Sequence, residues 1–424
     1  MTTVAPDQRR ERGRPAAAAR RRGVRGWQRG ALVALAALVL IATVRVVTGA
    51  DEIFSSGTLG VAIGAITPIA LAGLGGLWAE RAGVVNIGLE GMMILGTLGA
   101  GYFGYFYGPW PGVLAAVGFG VLGGLLHAVA TVRLGVDHIV SGVAINIMAG
   151  GVAAYLAATW FTGLEGGNPT SSPPVEAPAA ITLPGVAEAA IAVEERHWWV
   201  VSDVAALVAA LTEDLSLLVV LTVALFVGSW WVLWRTPFGL RLRSCGESPA
   251  AAESLGVDVY RYKTLAVLVS GGLAGLAGGF LVLVFAGAYG NGMTNGRGYL
   301  GLAAMIFGNW RPTGLLTGSA LFGFTDALQL RAGGGAVHAL LLLIVVVLLG
   351  YAVWQARRGQ RGAATVTAVT AAAVAVWFLL TDVVPEDFTR MTPYVLTLFV
   401  LAFAAQRLRM PAADGQVYRR GSAG

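Results

Sequence analysis

The chain has 424 residues, 56% of them hydrophobic and only 12% charged, about half the charged share of a soluble domain, which excludes a soluble globular protein and points to a polytopic membrane protein. The net charge of +6 does not argue for nucleic acid, because the arginines from Arg9 to Arg29 crowd one flank ahead of the first apolar run, as the positive-inside rule places a cytoplasmic segment. Cys245 is the single cysteine, so no intrachain disulfide forms, and His127, His138, His197 and His338 lack metal-ligand spacing.

Residues 1–29 read as a cytoplasmic, basic, disordered tail rather than a cleaved leader, since the basic region is long and many spans follow. Residues 30–406 read as one transmembrane domain. Its first span, 30–48, carries Arg45 near the outer end, where a long side chain snorkels to the surface. The second, 58–78, contains Pro68 and is expected to kink there. Between Trp78 and Leu95 the sequence sets Glu80, Arg81, Asn86 and Glu90 among Gly83, Gly88 and Gly91. Ionisable groups are expensive at membrane depth, so these residues belong at a surface, in the protein interior or beside water.

The third span, 88–108, ends in Tyr102, Phe103, Tyr105, Phe106 and Tyr107, with Trp110 just beyond, an aromatic cluster that suits a membrane interface. The fourth covers 112–132 and closes on Arg133. Asp137 reads as the N-cap of the fifth, 137–160. Ser141, Gly142, Asn146, Gly150 and Gly151 mark that helix as packed and protein-facing. Residues 161–212 form an acidic extracytoplasmic insertion, part of it a short amphipathic helix along the surface. The span 215–234 follows, then a loop, 235–263, that Arg235, Arg241, Arg243, Arg261 and Lys263 place in the cytoplasm. Ser248-Pro249 opens a helix there and Gly256 ends it. Ala251, Ala252 and Leu255 are expected to form one small apolar face over about two turns.

After the span 264–287 and a Gly/Asn-rich outer turn, Tyr299 to Gly308 is too short to cross a bilayer before Asn309-Trp310-Arg311-Pro312 interrupts it. One kinked helix crossing once is possible. Two short helices that enter from the outer side and return to it fit better, because a single crossing would put Arg357, Arg358, Arg361 and the last arginines outside, and Arg311 and Asp326 are costly in lipid. Broken helices of this kind line transport paths. Spans 337–355, 363–381 and 392–406 complete the domain, and 407–424 is a cytoplasmic tail. The expectation is an all-α polytopic membrane protein with about ten full passes plus a broken helix pair, both termini cytoplasmic.

No Walker A sequence precedes Lys263, the only lysine, and no nucleophile elbow or zinc-binding helix occurs. The chain is therefore not expected to be an enzyme or to carry catalytic, cofactor or metal sites. Glu90 shares a helix face with Asn86 and has two readings: a group lining or gating a path, or a buried carboxylate bonded to backbone or paired with Arg81. Asn146 lies deep in its span and suits a substrate contact. Trp310 and Arg311 either hold substrate or anchor the helix break, and Asp326 is either a proton or cation site or a helix-end carboxylate.

Three stretches carry a family likeness. Ala79-Glu80-Arg81-Ala82-Gly83-Val84-Val85-Asn86-Ile87-Gly88-Leu89-Glu90-Gly91-Met92-Met93 resembles permease subunits of bacterial ABC importers for ribose, other simple sugars and branched-chain amino acids, most nearly the branch that takes up nucleosides from lipoproteins. Gly246-Glu247-Ser248-Pro249-Ala250-Ala251-Ala252-Glu253-Ser254-Leu255-Gly256 resembles the cytoplasmic coupling helix, and Gly301 to Pro312 the third motif. The likeness covers roughly 57–352. It implies a permease subunit of an ATP-driven importer in the bacterial cell membrane. A nucleoside, with ribose or another simple sugar as the alternative, would arrive on a substrate-binding lipoprotein. This chain would bind no cofactor; ATP and magnesium would sit on a separate ATPase subunit. Glu247, Ser248, Pro249, Ala251, Ala252, Glu253, Leu255 and Gly256 would dock on that subunit. Asn86, Glu90, Asn146, Trp310 and Arg311 would shape the path or gate, completed by a second, different permease subunit. The insertion 161–212, the arginine-rich N-terminus and the spans beyond about 360 depart from the family pattern. A proton-coupled secondary transporter using Asp326 or Glu90 is the competing class.

Overall fold

The computed structural model describes residues 35–385, 388, 391 and 408–421. Helices α1 (Leu35–Thr48) and α2 (Ser56–Arg81) are followed by α3 (Leu89–Tyr107), α4 (Pro109–Ala128) and α5 (His138–Trp160). The insertion holds α6 (Val186–Glu194) and α7 (Val201–Thr212). Next come α8 (Leu217–Arg235), α9 (Pro237–Glu247), α10 (Pro249–Ser254) and α11 (Val259–Phe280). The series closes with α12 (Arg297–Phe307), α13 (Pro312–Ala327), α14 (Gly333–Arg357) and α15 (Arg361–Leu380). Among the described residues, one antiparallel pair of two-residue strands, β1 (Ala180–Ile181) with β2 (Leu215–Ser216), clips the two ends of the insertion together.

Seven helices among the described residues are long and apolar enough to cross a membrane, not ten. They are α2, α4, α5, α8, α11, α14 and α15. The expected first span is described only over α1, which is too short to qualify. The expected third span is α3, whose 19 residues are diluted by glycine and tyrosine and which is buried inside the bundle. The expected last span, 392–406, lies outside the described residues, as does the tail 1–29.

Glycine decides how the centre packs. A Cβ on Gly275 of α11 would overlap the Ala116 carbonyl of α4, one on Gly120 would overlap the Gly271 carbonyl, and one on Gly278 would overlap the Met93 carbonyl of α3. Lipid is as apolar as leucine, so helices associate through such close backbone approach. Helix α2 lies against α11 through Gly75 and Ser270 and runs unbroken through Pro68. Helix α5 is not the enclosed element expected. Only the stripe His138, Ser141, Gly142, Ile145, Ala149, Ala153 and Ala157 is buried, while Ile147 and Tyr155 are more than 70% exposed. Gly150 and Gly151 meet nothing.

Arg45 does not snorkel. It is 4% exposed, and its guanidinium stands 3.0 Å from Asp203 of α7 and 2.8 Å from Asp51. A buried charge needs such partners, so this contact ties α1 to the insertion. Lys263 likewise leaves the expected solvent-exposed loop: it is 2% exposed and donates to the Gly83 carbonyl at 3.1 Å.

The chain breaks at 308–311. Helix α12 begins partway along α2, with Gly301 on Gly73, and ends where Trp310 reaches Arg81. Helix α13 then runs back beside it through Gly308–Gly314 and Ala304–Gly318, passes Ile66 at Gly323, and leads to Arg331 on Gly57. The pair therefore enters and leaves at the Ser56 end of α2, as the arginine distribution required.

Candidate functional site

Between α2 and α3, residues 83–88 are irregular backbone inside the bundle. Groups there must be satisfied within the protein, and polar side chains from three other helices do it. Lys263 bonds Gly83 O. Val85 N–H donates to His138 Nδ1 at 3.2 Å, and Val85 O accepts from His127 Nε2 at 3.0 Å. That fixes His127 as the tautomer whose Nδ1 accepts from the Ser141 hydroxyl, 2.9 Å away. Asn146 Nδ2 donates to Ile87 O at 3.0 Å and to the Tyr299 hydroxyl at 2.9 Å, while its Oδ1 accepts from Gly91 N–H. Asn86 is fully buried and donates to Ser270 Oγ at 2.9 Å.

Glu90 does not pair with Arg81. Its two oxygens accept from Gly296 N–H (2.9 Å) and Gly298 N–H (2.7 Å) at the start of α12. Free amides and the helix dipole favour a carboxylate at that position. Next to it, Arg297 is paired with Asp326 at 2.7 Å and lies over the Phe285 ring. Glu90 and Asn146 are thus brought together around the mouth of the half-helix, where Tyr299, 46% exposed, joins them, while Asn86 faces Ser270 of α11.

Trp310 and Arg311 belong to a second cluster. Asn309 and Trp310 both have positive φ, 55° and 52°, an unfavourable conformation for residues with a Cβ. The Glu80-Arg81 pair holds that turn: Trp310 Nε1 donates to Glu80 Oε2, and Arg81 Nε donates to Trp310 O at 3.0 Å. Trp310 is 5% exposed, whereas Arg311 is exposed. Trp310 is therefore held as an anchor of the break.

The stretch from Gly246 to Gly256 arrives at the same end. Gly246 packs so closely that a Cβ there would overlap the Arg81 carbonyl. On α10 the expected single apolar face is divided. Ala252 is 2% exposed and packs with Cys245 and Val259, while Leu255 is 85% exposed and Ala251, Ser254 and Gly256 are also exposed. Glu247 and Ser248 are exposed as well, Pro249 and Glu253 half-buried.

Sequence reasoning singled out Asn86, Glu90 and Asn146 from their cost in an apolar setting, and Trp310 and Arg311 from the helix break. It missed the structural roles of His127, His138, Lys263, Ser270 and Tyr299, since each satisfies a partner more than 40 residues away. The one signal available was that a lone lysine and two histidines bordered spans that did not need them.

The chain is similar in sequence to known transport proteins. The family described as branched-chain amino acid transport system / permease component matches residues 58–351. The guanosine ABC transporter permease protein NupQ of Bacillus subtilis is 32% identical over 361 residues, covering 84% of this chain and 93% of that protein. The nucleoside ABC transporter permease protein NupC of Lactococcus lactis is 31% identical over 83% of this chain and 93% of its own length. The putative glucose ABC transporter permease protein TsgC13 of Haloferax volcanii is 35% identical over 66% of this chain and 78% of its own. No solved structure matches. With the three motifs clasped at one end of a bundle of apolar helices and this match over most of its length, the chain belongs to the branched-chain amino acid transport system permease family and is a permease subunit of an ABC importer of small polar substrates.

Proposed function

We propose that the substrate is a nucleoside, passed from a binding lipoprotein through a path that this chain shares with a second, different permease subunit. The observation that carries this reading is the likeness to a guanosine and a nucleoside permease over 93% of their lengths. The exposed Tyr299 ring, its hydroxyl fixed by Asn146, supports it, because base–aromatic stacking is worth about 1–3 kcal/mol. The glucose permease relative supports a sugar as the second reading, over a shorter share of the chain. A proton-coupled carrier gains no support, since Asp326 is paired with Arg297 and both Glu90 oxygens are engaged.

In this reading the Arg81 end faces the cytoplasm, with Arg241 and Arg261 exposed there. The segment from Glu247 to Gly256 docks on the ATPase, with Leu255 as its leading contact, and ATP-driven closure reaches the path through Gly246, Arg81 and the Trp310 turn. Alternating access then proceeds by rocking of packed units around a site near the α12 N-terminus. Uptake of labelled guanosine, ribose and glucose by cells with and without this chain tests the proposal. Guanosine uptake should depend on the chain, and Tyr299→Ala should raise its half-saturating concentration about tenfold. Dependence of glucose or ribose uptake alone would overturn it.

A further inference from the structure

Residues 408–421 run across the Arg81 end and touch every stretch that converges there. Arg409 N–H donates to Asn309 Oδ1 at 2.7 Å, in the turn between α12 and α13. Ala413 N–H donates to Gly246 O at 2.9 Å. Gly415 lies against Val85. The anchor is Asp414, 9% exposed and set among Glu80, Arg81 and Lys263. Two further contacts hold the flanks of α10: Ala412 N–H reaches Glu247 Oε2 at 3.3 Å, and Arg420 lies 3.5 Å from Glu253. Tyr418 packs on Tyr260 with ring centres 5.3 Å apart.

The segment leaves the tip of α10 bare. Leu255 is 85% exposed, and on the segment itself Val417 is 45% exposed. Between the two runs a groove of about 310 Å³, walled by Pro249 and Ala250 on one side and Ala412 and Val417 on the other, with Glu247 and Tyr418 supplying polar groups. An element rooted by a buried side chain and by main-chain hydrogen bonds is not a loose lid. Its exposed face continues the surface of α10.

We propose that residues 408–421 and α10 form one composite docking surface for the ATPase subunit, a polar side chain of which enters the groove between them, where Glu247, Ser248 and Gln416 offer hydrogen-bonding groups. The inference rests on the reading of α10 as the ATPase-docking helix and commits to the same partner. Exposed Arg241 and Arg261 flank the site in sequence beside exposed Glu247 and Asp258, so the matching ATPase face carries both signs of charge.

The test uses the complete importer in nanodiscs and its purified ATPase subunit, identified by its Walker A sequence. Leu255→Asp probes α10 and Val417→Asp probes the segment; both side chains are exposed, so the yield and size-exclusion profile of the permease should not change. Each substitution is expected to weaken ATPase binding at least tenfold. Because Cys245 is fully buried, Val417→Cys presents one accessible thiol, and a photo-crosslinker attached there should capture the ATPase. If Leu255→Asp releases the ATPase while Val417→Asp binds normally and position 417 captures nothing, the composite surface is overturned and the α10 reading stands. If neither substitution weakens binding, both readings fall. If Val417→Asp or a chain ending at 407 binds the ATPase more tightly, the segment is an inhibitory cover and the inference is overturned.

Discussion

Glu90 accepts two main-chain hydrogen bonds at the start of α12, so both its oxygens are engaged at the end of a half-helix. Glutamine can replace one of those acceptors but presents an NH₂ to the other donor. A buried donor left unpaired costs about 1–3 kcal/mol. Glu90→Gln should therefore lower the thermal midpoint of the purified importer, Glu90→Ala should lower it further, and uptake per folded complex should stay within about twofold for Gln. A Gln variant as stable as the parent but unable to transport would instead place the carboxylate on the substrate. The sequence showed that such a residue needed a partner at membrane depth. Which partner it took was not readable, because Gly296 and Gly298 lie more than 200 residues away. Arg45 illustrates the same limit: its position near a helix end fitted snorkelling, yet Asp203 from the insertion keeps it buried.

At the scale of elements, the glycines that meet a neighbouring backbone differ from those that meet nothing. Gly120, Gly271 and Gly275 bring α4 and α11 together, while Gly118, Gly150 and Gly151 meet no atom within 4 Å. Gly275→Val should abolish folded protein, as measured by monodisperse yield from membranes, because the wall it meets is the Ala116 carbonyl rather than a movable side chain. Gly118→Ala and Gly150→Ala should match the parent or exceed it by up to about 1 kcal/mol, alanine being the better helix former. Both classes look identical in sequence, which is why α5 read as enclosed and proved largely exposed. The break before α13 was legible, because length, Pro312 and the arginine distribution all bear on it. The clasp of Glu80 and Arg81 on Trp310 was not, although all three residues stood out individually.

Across the whole molecule, residues 408–421 close the Arg81 end, and their hold should depend on pH. Burial pushes the Asp414 carboxyl from its ordinary 3.8 up to about 7, against the pull of Lys263 and Arg81. Between those values the docked segment binds a proton that a released one does not. Docking is therefore strongest below the window and weakens as pH rises through about 7. Hydrogen-exchange protection of 408–421 should fall from pH 5 to pH 8, by at most about tenfold per pH unit, and Asp414→Asn should flatten the profile. Protection that rises with pH would contradict this account of the anchor.

Composition, apolar run length and arginine placement determined that this is an all-α membrane protein with a returning helix pair, because the bilayer acts on every span separately and leaves its mark in local sequence. The Trp78–Leu95 stretch announced itself for the same reason: charged and amide groups there contradict their surroundings. Only the tertiary structure decided how many helices qualify as spans, which glycines pack, which face of α10 is free, and that Lys263, His127, His138 and Asn146 hold the irregular backbone at 83–88. Those outcomes depend on hydrogen bonds and contacts between residues far apart in the chain, and local pattern does not encode which distant partner satisfies a buried polar group.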